Sequence, residues 1–588
     1  NMAKIANKNS KSIKVKTQKP LAKQVKPPVS KWIYFLFIGL AIILTYIAFA
    51  PSLKNGFVSW DDEGYLFENS YIINYGWNAT KAIFSHIIMA NYHPITIFVY
   101  ATLHHLYKFT PYYYHLFNIV FHLFNVLLVF AFIYKISKKN LTIAFVTALL
   151  FGIHPLHVES VTWVSETKDV LYAFFFIIGL LCYMKYNDIK QKKIIFYLLS
   201  LLFFILSCLS KGMAVVFPLI LVIIDFINDR KINIKSQLNK IPFFIIALLF
   251  GIIAIKAQAT DKGIFDTSAF SLFDKIVLPA YGMLFYLYKM IFPLNLSIIY
   301  PYPVKTSSIL PFEYLISPLI LILLIGLVLY SLKYNRKIAF GSLFFFFCIL
   351  PVLQIIPVGI SIASDRYFYL SSIGLFYLIG YGFNYLIENK SKVKKYSKFI
   401  AFSLLIVITF ILINLTRKRT LVWNNTITLW QDVIRYDPNI DKPYFNIGLQ
   451  LDRNGNIDSA IVLYKKAIFY NPKNVKALNN LGNRMYDKRF YDSAFFYYTK
   501  LLAADSLYYP VYHNLGNIYD LRGNLDKAIE YYNKTILLKN DFALSYFMLG
   551  VCWNQKGDSI KSNNNYIRAA QLGNTDAQSI LKSKNIKW

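Results

Sequence analysis

The chain has 588 residues, 56% hydrophobic and 18% aromatic, with 63 Lys and Arg against 30 Asp and Glu, a formal charge of +33. Much of that surplus lies in short runs between long apolar stretches, which points to a polytopic membrane protein and away from a nucleic-acid binder, whose charge would spread over one groove-facing surface. The four cysteines, three of them in apolar stretches, have neither the spacing of a disulfide framework nor that of a metal site.

Residues 1–30 carry eight lysines and no acidic residue, and 31–50 (KWIYFLFIGLAIILTYIAFA) are uncharged after Lys31. About 20 such residues cross the hydrocarbon layer as a helix, so the basic tail is expected in the cytoplasm. Further spans are predicted near 111–134, 141–162, 169–186, 194–209, 212–228, 241–257, 313–332, 338–357, 367–388 and 399–416, eleven crossings in all. The connections between alternate pairs are basic (Lys135/Lys138/Lys139, Lys185 to Lys193, Arg230 to Lys240, Lys333 to Lys337, Lys390 to Lys398). An odd count then sends the C-terminal region outside. Residues 276–293 are apolar but hold Pro279, Gly282 and Lys289, and counting them would put basic loops on the wrong side, so they read as re-entrant or interfacial. Residues 93–109 read as another interfacial helix.

After residue 420 a repeat emerges. Gly448, Gly482, Gly516 and Gly550 are spaced by 34, as are Tyr464, Tyr498, Tyr532 and Tyr566, while Ala460, Ala494 and Ala528 keep the period until Ser562. This is the signature of tetratricopeptide repeats, with small residues where paired helices touch. Repeats are expected near 441–474, 475–508, 509–542 and 543–576, after a degenerate leading one. The fold class is therefore all-α: a membrane domain over 31–418 and a repeat solenoid over 419–588. Asn446, Asn479, Asn480 and Asn514 are candidates for the concave groove, since amides can grasp an extended peptide backbone.

Ionisable groups beside membrane spans are costly and tend to be functional, and this topology collects them on the external face. SWDDEGYLFEN (59–69) supplies Asp61 and Asp62. GIHPLHVESVTWVSETKDV (152–170) supplies His154, His157, Glu159 and Lys168, and His93, Lys211 and Arg366 lie in the same layer. Eight of the nine histidines fall between 86 and 157, but the HxxHxE motif has Pro155 inside it and lacks two further ligands, so a structural or acceptor-binding role outweighs metal binding.

WDDEGYL after the first span, then GIHPLHVESVTW, LSKGMAVVFPLILVIIDF, SDRYFYLSSIGL and terminal repeats, in that order, resemble the GT-C superfamily of glycosyltransferases. Within it they are similar to the transmembrane and tetratricopeptide repeat-containing protein O-mannosyltransferases, over roughly residues 31–572. The match departs at Ser165-Glu166-Thr167-Lys168-Asp169, so no role is carried over to Glu166. The resemblance implies inverting transfer of a sugar, usually mannose, from a polyprenyl-phosphate donor to a protein hydroxyl.

Chemically, such transfer needs a carboxylate base near the acceptor hydroxyl, for which Asp61 or Asp62 is expected, its neighbour orienting the acceptor or holding a divalent ion (Mg or Mn). Cations must meet the charge that develops on the leaving phosphate, and Arg366, Lys211 and Lys168 suit that task. Glu159, His154, His157 and His93 are expected to line the acceptor side of the cavity. Partners are then a lipid-linked sugar, a protein or peptide acceptor and the bilayer. Composition suggests a bacterial inner membrane with the repeats in the periplasm. Two alternatives stay open: an enzyme of the same architecture acting on a lipid or glycan, and a non-catalytic scaffold recruiting partners through its repeats. Deletion of 437–588 is the expected way to tell protein from lipid acceptors.

Overall fold

A computed structural model describes residues 31–188, 191, 193–228, 237–260, 270–305, 309–359, 361–388 and 394–588. The basic tail 1–30 lies outside the described residues, as do 189–190, 192, 229–236 and 389–393 within the basic connections. Helices dominate because long apolar runs can bury their backbone hydrogen bonds only within themselves. Among the described residues, eight helices are long and apolar enough to cross a membrane, and Leu141–Ile153 with Pro155–Thr162 adds a ninth bent by 56°. The two other predicted crossings fall on shorter helices, Phe217–Ile227 after a tight turn from Gly212, and Arg336–Ile349. Length and composition thus carry eight or nine of the eleven crossings.

The bend at His154-Pro155 has a positional consequence. From there to Glu166 the chain runs in short turns, Pro155–His157, Val158–Thr162 and Val164–Glu166, before the long helix Thr167–Asp188 begins. These turns place Glu159, Glu166, Lys168 and Asp169 at one end of the bundle. Opposite them, a short antiparallel pairing of Tyr300–Pro301 with Ser361–Ala363 delivers Asp365 and Arg366. Residues 272–291 form a helix begun by a Ser271/Asp274 capping box, and Lys289 Nζ closes its end on the carbonyls of Leu294 (2.7 Å) and Asn295 (3.1 Å).

The solenoid comprises helix pairs starting at Asp441, Val475, Tyr509 and Ala543, closed by Thr575–Ser583. The repeated glycine lets the partner tyrosine lie flat on the helix: a Cβ at Gly482, Gly516 or Gly550 would come within 2.5–2.6 Å of the Tyr498, Tyr532 or Tyr566 ring. Ser562, where the alanine period breaks, donates its hydroxyl to the Gly550 carbonyl at 2.8 Å, which satisfies a buried polar group without altering the packing. The apolar core of the membrane domain runs on without a break through Trp423, Trp430 and Val433 to Ile447. The first helices of the solenoid are therefore packed into the body that carries the polar cluster.

Candidate functional site

The first apolar helix, Lys31–Phe49, passes through a turn at Ala50–Lys54 into the acidic loop. The loop is clamped from both sides. Gly56 N donates to Asn424 O (2.8 Å), Ser59 N to Thr426 Oγ1 (2.9 Å) and Trp430 Nε1 to Ser59 O (3.2 Å). Asp62 is fully buried and spent on structure: its Oδ2 accepts from Val58 N (3.0 Å), and its Oδ1 from both Ser165 N (3.1 Å) and Ser165 Oγ. Burial pushes its carboxyl up to about 6, with the Ser165 and Val58 bonds opposing. Asp61 is half-buried and makes no hydrogen bond or ion pair among the described residues. Burial raises its pKa as well, opposed first by Lys168 and then by Arg366.

Around Asp61 lies a network of three carboxylates and three cations. Arg366 pairs with Glu159 through its guanidinium and donates its backbone N–H to Glu159 Oε2 (3.1 Å); its Nε reaches Glu166 Oε1 at 3.3 Å. Glu166 also receives Lys168 and Lys211, each at 3.1 Å. Lys211 bonds Asp169 Oδ1 at 2.6 Å, and Asp169 Oδ2 accepts from Ser160 Oγ at 2.9 Å. All three carboxylates are buried, and each is satisfied by at least one cation, as such burial requires.

Next to the network is a largely apolar cavity of about 350 Å³. Lys168, Lys211, His93 and Tyr367 form its polar end, and Met213, Val215, Ala254, Ile255, Val352 and Ile356 contribute to its walls. His93 is held neutral by burial and by the adjacent Lys168, its pKa lowered to about 3, and its Nε2 has no partner. Arg366 does not line this cavity; it faces Glu159 and stacks over Trp163 (5.6 Å) and Tyr367 (5.0 Å).

Both nitrogens of His154 and of His157 are engaged by the fold. His154 Nε2 meets Met290 O (3.1 Å) and its Nδ1 accepts from Leu156 N (3.3 Å), while His157 meets Phe151 O (2.7 Å) and Ser372 Oγ (3.2 Å). No group of three or more His, Cys, Asp or Glu side chains could hold a metal ion among the described residues. Asp62 is engaged by Val58 and Ser165, and Glu159, Glu166 and Asp169 lie on cations, so these carboxylates do not fit the donor set of a divalent ion.

In the solenoid, Asn514 lines a second, polar cavity of about 270 Å³ with Asn483, Arg484, Asp487, Tyr498 and Asn517. Tyr498 and Tyr532 hydroxyls donate to the Asn483 and Asn517 side-chain oxygens, both at 2.7 Å, leaving amide donors for a ligand. Asn446 and Asn480 lie outside it. Asn446 bonds the Lys442 carbonyl one turn back (2.9 Å), Asn480 reaches the Tyr464 hydroxyl (3.4 Å), and Asn479 meets Asn480 Oδ1 at 3.3 Å.

The structure thus brings together Asp61, Asp62, Glu159, Lys168, Lys211 and Arg366, sets His93 at the cavity and gives His154 and His157 to the scaffold. Sequence reasoning missed Glu166 and Asp169. Their signal was an excess of nearby cations, Lys168, Lys211 and Arg366, that a dry site has to neutralise.

The chain is an all-α membrane protein with a tetratricopeptide-repeat solenoid. Residues 509–542 match the model of the tetratricopeptide repeat family. The chain is similar to a protein O-mannosyl-transferase of Caenorhabditis elegans, 26% identical over 71% of this chain and 60% of the relative. It is also similar to one of Mus musculus, 23% identical over 63% of this chain and 43% of the relative. One of Homo sapiens is 33% identical over 17% of this chain and 11% of the relative. The chain thus spans about 60% of the length of the nematode relative. These similarities bear out the resemblance drawn from the motifs. Among solved structures, a crystal structure of MamA covers 26% of this chain and 90% of its own, at 26% identity and a TM-score of 0.24.

Proposed function

We propose that the protein is a membrane glycosyltransferase that moves a sugar, mannose by its likeness to the named relatives, from a polyprenyl-phosphate donor to a protein hydroxyl with inversion. In this reading it sits in a bacterial inner membrane with its repeats in the periplasm. The observation that carries it is the contrast within the acidic pair: Asp62 is locked into the backbone, whereas Asp61 is an unbonded carboxylate among cations.

Asp61 takes the proton of the acceptor hydroxyl as that oxygen attacks the anomeric carbon from the face opposite the phosphate. The bond from that carbon to the phosphate oxygen breaks with its electron pair, and the polyprenyl phosphate leaves. Lys168 and Lys211 lie at the polar end of the apolar cavity and meet the charge on the leaving group. Neutral His93 donates a hydrogen bond there without adding charge, and the apolar walls suit the start of the prenyl chain. The solenoid's amide donors and Arg484 suit the carbonyls of an extended acceptor peptide.

The test is transfer of radiolabelled mannose from synthetic polyprenyl-phosphate-mannose to cell proteins by the purified full chain in detergent. Asp61→Asn should lower the rate by about 10²–10⁴-fold with thermal unfolding unchanged. Full transfer by Asp61→Asn would sink the assignment of the base. Label on lipid or glycan alone would move the acceptor class, and no transfer of any sugar by wild type would favour a scaffold.

A further inference from the structure

Trp60, the residue before Asp61, is held between two other indoles: Trp163 of the membrane domain, with ring centroids 5.2 Å apart, and Trp430 of the first solenoid helix, 5.1 Å apart. The Lys442 ammonium lies over this arrangement, 4.8 Å from the Trp60 centroid and 5.9 Å from that of Trp430. Lys442 opens the first full repeat in the helix Asp441–Arg453, whose last residue, Arg453, pairs with Glu63, two residues beyond Asp61. The acidic loop is therefore fastened to the solenoid along its length, and the ammonium comes from the repeat side.

The charges facing Asp61 are Lys168, Arg366, Glu166 and Lys442, with Asp62 beside it. Lys168 is already paired with Glu166, and Arg366 with Glu159 and Glu166. Lys442 is half-buried and makes no ion pair among the described residues. Among the described residues Asp61 and Lys442 thus make no salt bridge, and Lys442 lies over the ring of Trp60, the residue next to Asp61.

We propose that the solenoid supplies part of the acidic site: Lys442, held over Trp60 beside Asp61, is a positioning residue that brings a counter-charge from the first repeat to the Asp61 carboxylate. Its catalytic consequence rests on the reading of Asp61 as the base; the electrostatic pairing itself does not. The repeat array is then a component of the reaction centre as well as a surface for the acceptor.

The test reads Asp61 directly. A water-soluble carbodiimide with an amine converts protonated carboxyls to amides, and peptide mass spectrometry of the full-length protein gives the pH midpoint of labelling at Asp61. Lys442→Met should raise that midpoint by up to about one unit, the direction expected for loss of a nearby opposite charge, and Lys442→Arg should restore it. Exposed Asp492 should label identically in every variant. Lys442→Gln, closer in polarity, serves if the Met variant does not fold. In the mannose assay the acid limb of the pH–rate profile should shift with the labelling midpoint. An unmoved Asp61 midpoint in a folded Met or Gln variant overturns the proposal, as does failure of Arg to restore it. A shifted midpoint in a protein that transfers no sugar upholds the pairing and defeats the glycosyltransferase reading instead.

Discussion

Lys211 offers the sharpest separation of structure from chemistry. Its ammonium, 12% exposed, bridges Glu166 at 3.1 Å and fully buried Asp169 at 2.6 Å. Glu166 keeps Lys168 and Arg366 when Lys211 is removed, but Asp169 loses its cation and is left with the Ser160 hydroxyl and the neighbouring Glu166 side chain. Removing one partner of a buried pair costs about 3–5 kcal/mol, chiefly because the other charge stays buried without compensation. Lys211→Met should therefore lower stability by that amount, read as thermal unfolding in detergent through the fluorescence of the Trp60/Trp163/Trp430 cluster. Adding Asp169→Asn removes the stranded charge and should bring stability back to within about 1 kcal/mol of wild type. Sugar transfer should stay low in the double variant, because the cation at the polar end of the cavity is still missing. A fully stable Lys211→Met would refute the buried pairing. A double variant that regains transfer together with stability would refute any contact of Lys211 with the donor.

Two further outcomes follow from single residues. Asp62 titrates near 6 in the folded chain against 3.8 for an unperturbed aspartate, so between those values the native state binds more protons than the unfolded one. This group therefore adds stability as pH falls from 7 toward 4, by up to about 3 kcal/mol. Melting temperature against pH should show that rise in wild type and lack it in Asp62→Asn. In the solenoid, Gly516→Ala drives a methyl to within 2.6 Å of the Tyr532 ring and should cost about 1–3 kcal/mol. Gly448→Ala, whose nearest Tyr464 atom is 3.0 Å away, should be milder in denaturant titration.

What could be read from the sequence was whatever is local or periodic. Apolar runs mark spans by their length, and Gly448 to Gly550 mark the repeat because each contact is made again 34 residues later. Asp61-Asp62 stood out as acid in a basic chain. Which of the two is free could not be read, because that depends on Ser165, more than a hundred residues away, capturing Asp62 alone. Glu166 and Asp169 were hidden for the same reason: Lys211 and Arg366 reach them from distant helices. The part played by Lys442 needed the packing of Trp430 on Trp60, which no pattern within the repeats announces.

The continuity of the core from the membrane helices to Ile447 changes how this chain can be cut and recombined. Removal of 437–588 takes away Lys442 and Arg453 together with the groove, so loss of transfer in such a truncation says nothing about which acceptor was used. The two inner repeats, 475–542, are a different matter. They end in register with the last repeat and its closing helix, and the bonds that clamp the acidic loop come from residues 424–430. Repeats can be taken out or exchanged there in whole 34-residue units without touching those clamping bonds, which on the function proposed above would let the reach and choice of acceptor diversify apart from the acidic site.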